Sequence, residues 1–190
     1  MAVFSILTYN MHKGFSGDGR RSFVLPRMRD ALALADADVV FLQEAQGEHQ
    51  RHAERVADWP DASQFEFLAD AILSRSPLVA WENIDVSPYP FAASRSLLHG
   101  VIEPPGGTRL HLVCIHFGFL AAERRPQIRR LCEHIEARIP HGEALVVAGD
   151  FNDWWGRAER GFNSALGLRE VFRALHGRHA RSFPSWAPLF

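Results

Sequence analysis

The sequence has one lysine, Lys13, two cysteines, two tyrosines and no apolar run long enough to cross a bilayer. Each shortage excludes something. Cys114 stands in an apolar, strand-like run and Cys132 in a helix-like one, with no metal-type spacing between them. They therefore read as buried thiols in a reducing compartment, not as a zinc site or a disulfide framework. Charge of one sign is also scarce. The formal net charge is −1, so no global positive field draws the chain to DNA or to an anionic membrane, and a nuclease would have to rely on a local patch. The first residues lead straight into Val3-Phe4-Ser5-Ile6-Leu7, with neither the basic region nor the small-residue cleavage site of a secretory leader. The expectation is a cytoplasmic monomer without a membrane span.

What is present is ordinary for a globular protein: 47% hydrophobic and 23% charged residues in 190, enough for one domain over 1–190 with a sizeable core. Val3–Thr8, Val39–Leu42, Leu97–Ile102, Arg109–Ile115 and Ala144–Ala148 read as strands, the short continuous apolar runs being typical of strands buried on both faces. Leu25–Ala37, Ala121–Ile139 and Ser164–Leu175 carry helical periodicity, with Ile128, Leu131, Cys132 and Ile135 on one face of the second. Pro104-Pro105-Gly106-Gly107 is a strong turn signal that predicts antiparallel pairing of its flanking strands. Residues 65–73 suit either one helix or a strand preceded by a break. Strands alternating with helices make the class α/β.

Four strands end in polar residues. Val3–Thr8 runs into Asn10, Val39–Leu42 into Gln43-Glu44, Arg109–Ile115 into His116, and Ala144–Ala148 into Gly149-Asp150-Phe151-Asn152. Taken singly, an Asn or Asp after a strand usually opens a turn, and a histidine there is more often structural. Four such endings on one sheet edge would converge on a single pocket. The residue types suit one chemistry. Glu44 offers hard oxygen to Mg²⁺ or Mn²⁺, and Asp150 suits preparation of a water nucleophile. Asn152 and His116 suit contact with phosphoryl oxygens, and Asn10 suits a place beside the phosphate or the metal.

The motifs Thr8-Tyr9-Asn10-Met11-His12, Leu42-Gln43-Glu44, Ile115-His116-Phe117 and Ala148-Gly149-Asp150-Phe151-Asn152-Asp153 resemble the endonuclease/exonuclease/phosphatase superfamily. Ile72-Leu73-Ser74-Arg75-Ser76-Pro77, Arg125 and Gln127 agree with it. Met11-His12-Lys13-Gly14-Phe15, Glu66-Phe67-Leu68-Ala69-Asp70 and Arg181-Ser182-Phe183-Pro184 resemble its small bacterial metal-dependent hydrolases, some encoded beside cardiolipin synthase. The resemblance implies a DNase I-like α/β sandwich of two mixed sheets with flanking helices. It implies a Mg²⁺- or Mn²⁺-dependent phosphodiesterase or phosphatase using in-line water attack at phosphorus, with Glu44 as metal ligand, Asn10 as metal and phosphate contact, and His116, Asp150 and Asn152 as the catalytic set. Lys13 and Arg95 are expected to bind substrate, a phosphate ester that includes phospholipid and nucleic acid among the possibilities. Two departures stand out. The superfamily continues past the position of Phe190 with a Leu-Asp strand and a Ser-Asp-His motif, and it carries a longer loop where Asp70 here abuts Ala71. Two competing readings follow: a DNA or RNA endonuclease of the same superfamily, or a binding module that has lost its chemistry.

Lesser candidates have ordinary explanations beside them. His49 and His52 suit a solvated loop as well as a metal, and His99 suits a strand face as well as a phosphate pocket. Arg124, Arg125, Arg129 and Arg130 suit a solvated helix face interleaved with Glu123 and Glu133. Trp154 and Trp155 suit core packing or stacking on a substrate group.

Overall fold

Val39-Val40-Phe41-Leu42-Gln43 is buried along its whole length, and the fold grows outward from it. Side chains alternate across a strand, so an uninterrupted apolar run needs cover on both faces. The computed structural model, which describes residues 4–16, 22–45, 70–91, 94–153 and 157–179, supplies that cover. Phe41 and Val39 pack in a core with Ile72, Leu98, Ile102, Leu112 and Cys114. Val40 and Leu42 form a second core with Met11, Ala45 and Ala71, against which Leu25 and Leu32 of the first helix pack. Each large side chain so buried contributes about 1.5–3 kcal/mol.

The chain forms two compact units, residues 1–116 with 141–150, and residues 117–140 with 151–190. The first holds both sheets. One has the order β1-β2-β3, from β1 (Ile6–Asn10), β2 (Val39–Gln43) and β3 (Asp70–Ser74). The other has the order β4-β5-β6-β7, from β4 (Leu78–Asp85), β5 (Ser96–Ile102), β6 (Leu110–His116) and β7 (Ala144–Asp150). Both sheets are mixed: β1 runs parallel to β2 and β6 to β7, and the remaining pairs are antiparallel. The Pro-Pro-Gly-Gly turn joins antiparallel β5 and β6 as expected. The α1 helix (Leu25–Ala35) has proline in its first turn and a left-handed Asp36 after its end.

The second unit contains α2 (Ala121–Arg138), α3 (Arg157–Leu166) and α4 (Val171–His176). Phe117, Phe151 and Phe162 form an aromatic cluster with ring centroids 5.9–6.5 Å apart. The Asp153 carboxylate accepts from the Ala158 N–H at the start of α3, as an N-terminal cap does.

Of the two readings for residues 65–73, the structure has the strand over 70–74, where pairing with β2 buries Ala71 and Ile72. Two expectations need revision. The helix expected over Ser164–Leu175 is two helices. Gly167, at φ +66°, ends α3, and Glu170 starts α4 by accepting from the Phe172 and Arg173 N–H groups. On α2 the buried residues are Gln127, Leu131 and Ile135, while Ile128 and Cys132 are only half-buried. The β4 strand had not been anticipated at all. Residues 46–69 and 180–190, with the motifs read there, lie outside the described residues, as do His49, His52, Trp154 and Trp155.

Candidate active site

Strand register brings the polar endings together. Asn10 is the last residue of β1 and pairs with Gln43, so Glu44 follows immediately on the neighbouring parallel strand. His116 and Asp150 are the last residues of β6 and β7 and pair with each other. Parallel pairing aligns carboxyl ends, so each sheet delivers two of the four endings side by side, and the Asn10–Asp150 hydrogen bond joins the two pairs.

The contacts follow from that alignment. Asn10 Nδ2 donates to Glu44 Oε1 and to Asp150 Oδ2, both at 3.1 Å. The His12 backbone N–H donates to Asn10 Oδ1 at 2.9 Å, which fixes the amide so that its NH₂ faces the two carboxylates. His116 Nε2 lies 4.0 Å from Glu44 Oε1 and 4.0 Å from Asp150 Oδ2, beyond hydrogen-bonding reach. That nitrogen is buried and has no hydrogen-bond partner among the described residues. Burial pushes the His116 imidazole below its ordinary value, and the Arg95 charge adds to this while Asp150 and Glu44 oppose it. Lys13 acts weakly in the same direction as Arg95. The imidazole is therefore neutral near pH 7, able to donate one N–H without carrying charge.

Backbone strain gathers at the same place. His12, Lys13 and Glu44 all have positive φ, at 44°, 60° and 53°, in a region where a residue other than glycine costs about 1–3 kcal/mol. The conformation is held by the Met11 N–H on the Gln43 carbonyl at 2.9 Å and the Lys13 N–H on the Glu44 carbonyl at 3.2 Å. Gln43, fully buried behind the site, donates toward Thr8 Oγ1 and Cys114 Sγ at 3.4 Å each. Gly149, with φ +139°, lies so close to β6 that an added Cβ would collide with the Ile115 carbonyl oxygen.

Of the residues singled out from sequence, Asn10, Glu44, His116 and Asp150 are together. Lys13 is exposed on the left-handed turn and Arg95 is half-buried beside β5. Asn152, at φ +47°, belongs to the second unit and donates to the Phe117 carbonyl at 2.8 Å. His99 belongs to a different arrangement. Its Nε2 meets His111 Nδ1 at 2.9 Å, its Nδ1 faces Glu82 at 3.5 Å, and His111 in turn meets Glu143 at 2.5 Å. Arg124 bonds the Gly118 carbonyl and Arg129 faces Glu133, so both have ordinary helix-surface partners. Sequence reasoning missed His12 as a site residue. Its ring Nδ1 is 3.7 Å from Glu44 Oε2, and the signal was its spacing of two from Asn10.

The donors fit a divalent cation. Glu44 and Asp150 present hard oxygens with an amide between them, and the orphaned His116 nitrogen faces both.

Comparison with known proteins identifies the family and the fold. The model of the endonuclease/exonuclease/phosphatase family matches residues 7–190. The uncharacterized protein YbhP of Escherichia coli (strain K12) is 41% identical over 208 aligned positions, covering 98% of this chain and 81% of the relative. Those positions outnumber the 190 residues here, so the relative carries internal residues with no counterpart in this chain. Among solved structures, humanized D. rerio TDP2 with 14 mutations superposes with a TM-score of 0.65 at 23% identity, covering 93% of this chain and 73% of that one. The mannosyl-6-phosphatase of Bacteroides thetaiotaomicron superposes with a TM-score of 0.59 at 15% identity, covering 79% and 66%. These likenesses show the fold: an α/β sandwich of two mixed sheets, DNase I-like.

Proposed function

Because the chain belongs to the endonuclease/exonuclease/phosphatase family, we propose that it is a divalent-metal-dependent phosphoric ester hydrolase whose active site is the Asn10–Glu44–His116–Asp150 cluster. The observation that carries this reading is the delivery of those four residues, from four strand ends, to one set of contacts.

Glu44 would hold a Mg²⁺ or Mn²⁺ ion, with Asn10 positioning its carboxylate through the amide NH₂, and such an ion supplies Lewis-acid polarisation of a phosphate oxygen when bound. The protein groups do the rest. Asp150 accepts a proton from water as the water oxygen bonds phosphorus and the opposite ester P–O bond breaks. His116, neutral through burial, donates its Nε2 hydrogen to a phosphoryl oxygen. An unpaired buried nitrogen costs about 1–3 kcal/mol in the absence of such a partner, and the bond becomes stronger as charge develops on that oxygen. Asn10 keeps the two carboxylates at a fixed separation. Lys13 and Arg95 place positive charge where an anionic substrate arrives.

The test is hydrolysis of bis-p-nitrophenyl phosphate with and without Mg²⁺ or Mn²⁺. Metal-dependent turnover that falls at least about 100-fold in Asp150→Asn supports the reading. A binding module without chemistry would show no metal-dependent turnover, with Glu44→Ala behaving as the parent does.

A further inference from the structure

We infer that His12 is a second metal ligand beside Glu44, giving this site an imidazole donor and a bias toward Mn²⁺ over Mg²⁺. The inference rests on the proposed hydrolase site and adds to it. Glu44 spends one oxygen, Oε1, on Asn10. Its other oxygen, Oε2, faces His12 Nδ1 at 3.7 Å. That separation is too long for a hydrogen bond. It lies within the range of about 3–4.2 Å expected for two donors bound at about 2.1 Å to one cation.

The backbone points the same way. His12 and Lys13 both sit in left-handed conformation, pinned by the Met11 and Lys13 N–H groups to the carbonyls of Gln43 and Glu44. A surface ion pair gains less than the strain at two such residues costs. A shared cation offsets that strain. The ring is more than half exposed, so a metal ion reaches it without any opening of the core. Its backbone N–H also orients Asn10, so one residue sets both the amide and the imidazole of the site. Imidazole is a poor ligand for Mg²⁺ and a good one for first-row transition ions, whereas carboxylate serves both.

The experiment is Mn²⁺ titration followed by the electron paramagnetic resonance signal of free Mn²⁺, with Mg²⁺ measured by competition. The parent chain, His12→Gly, His116→Gln and Glu44→Ala are compared. Glycine accepts the positive φ, so the backbone is preserved. The expected result is at least about tenfold weaker Mn²⁺ binding in His12→Gly, with Mg²⁺ binding changed less than threefold. Pulsed measurements on bound Mn²⁺ should show nitrogen modulation from a directly bonded imidazole in the parent and in His116→Gln, and none in His12→Gly. Absence of that modulation in the parent, its persistence in His12→Gly, or equal losses for both metals would overturn the inference. These outcomes leave the hydrolase reading intact provided that Glu44→Ala loses both ions. If Glu44→Ala binds Mn²⁺ as tightly as the parent, the underlying reading fails independently of His12.

Discussion

Asn10 has a single NH₂ group, and that group keeps the two carboxylates apart without letting them repel freely. Its orientation comes from the backbone of His12 and its two acceptors come from β2 and β7. His116 is the complementary case, its buried Nε2 having no hydrogen-bond partner among the described residues. Replacement of His116 by Ala is expected to lower kcat about 10²–10³-fold, the range for loss of one preorganised donor to a developing anion. Far-ultraviolet circular dichroism should be unchanged, and steady-state kinetics on the same preparation checks the two together. Asp38 makes a different prediction. Both the Ser5 N–H and the Ser5 hydroxyl donate to its Oδ2, at 2.7 and 2.8 Å. These bonds, the backbone one foremost, hold its carboxyl below the ordinary value, with a further lowering from Arg75. A lowered folded-state value means that the stabilisation is fully present above the unfolded value of about 3.9 and is lost as pH falls through the folded one. Asp38→Asn should therefore be less stable than the parent at pH 7, and the difference should shrink below about pH 3.9. Urea unfolding at the two pH values reads this directly.

The site is built at element scale by parallel pairing, and Gly149 is its tightest point. A methyl group there would collide with the Ile115 carbonyl, one residue from His116 and one from Asp150. Gly149→Ala should cost more than about 3 kcal/mol or prevent folding, measured by denaturant midpoint, whereas Gly106→Ala, with open space at the same test, should cost about 1 kcal/mol for its positive φ. The contrast explains what could be read in the sequence. Strands buried on both faces, such as β2 and β6, announce themselves as apolar runs, and their polar endings follow as visible breaks. The β4 strand, Leu78–Asp85, is an edge strand exposed over most of its length, so neither alternation nor a continuous apolar run marks it. Gly167 and Glu170 did carry the signal for two helices in place of one, but the apolar residues on either side suited a single period. The separation of β3 from the helix-like residues before it was not legible, because pairing with β2 decides it and local pattern does not. His12 escaped notice because its role depends on left-handed backbone, which residue type alone does not reveal.

At the scale of the whole molecule, charge is nearly balanced, with a formal value of −1. At the site, Arg95 and Lys13 place positive charge that acts on His116. Few phosphate contacts imply weak dependence on salt. Turnover of a small phosphodiester should change less than about twofold between 50 and 200 mM salt, and plasmid nicking, if it occurs, should fall far more steeply. Among the described residues no helix is long and apolar enough to cross a membrane.

In the proposed site, separate strand ends gather about one hard cation next to a phosphate. Crystals soaked in Mn²⁺ and inorganic phosphate, with data collected near the manganese absorption edge, test that most directly. The predicted result is an anomalous peak in coordination contact with Glu44, with phosphate density touching His116 Nε2 and lying beside Asp150. Manganese bound elsewhere with the Glu44 carboxylate bare, or phosphate remote from His116, would contradict it.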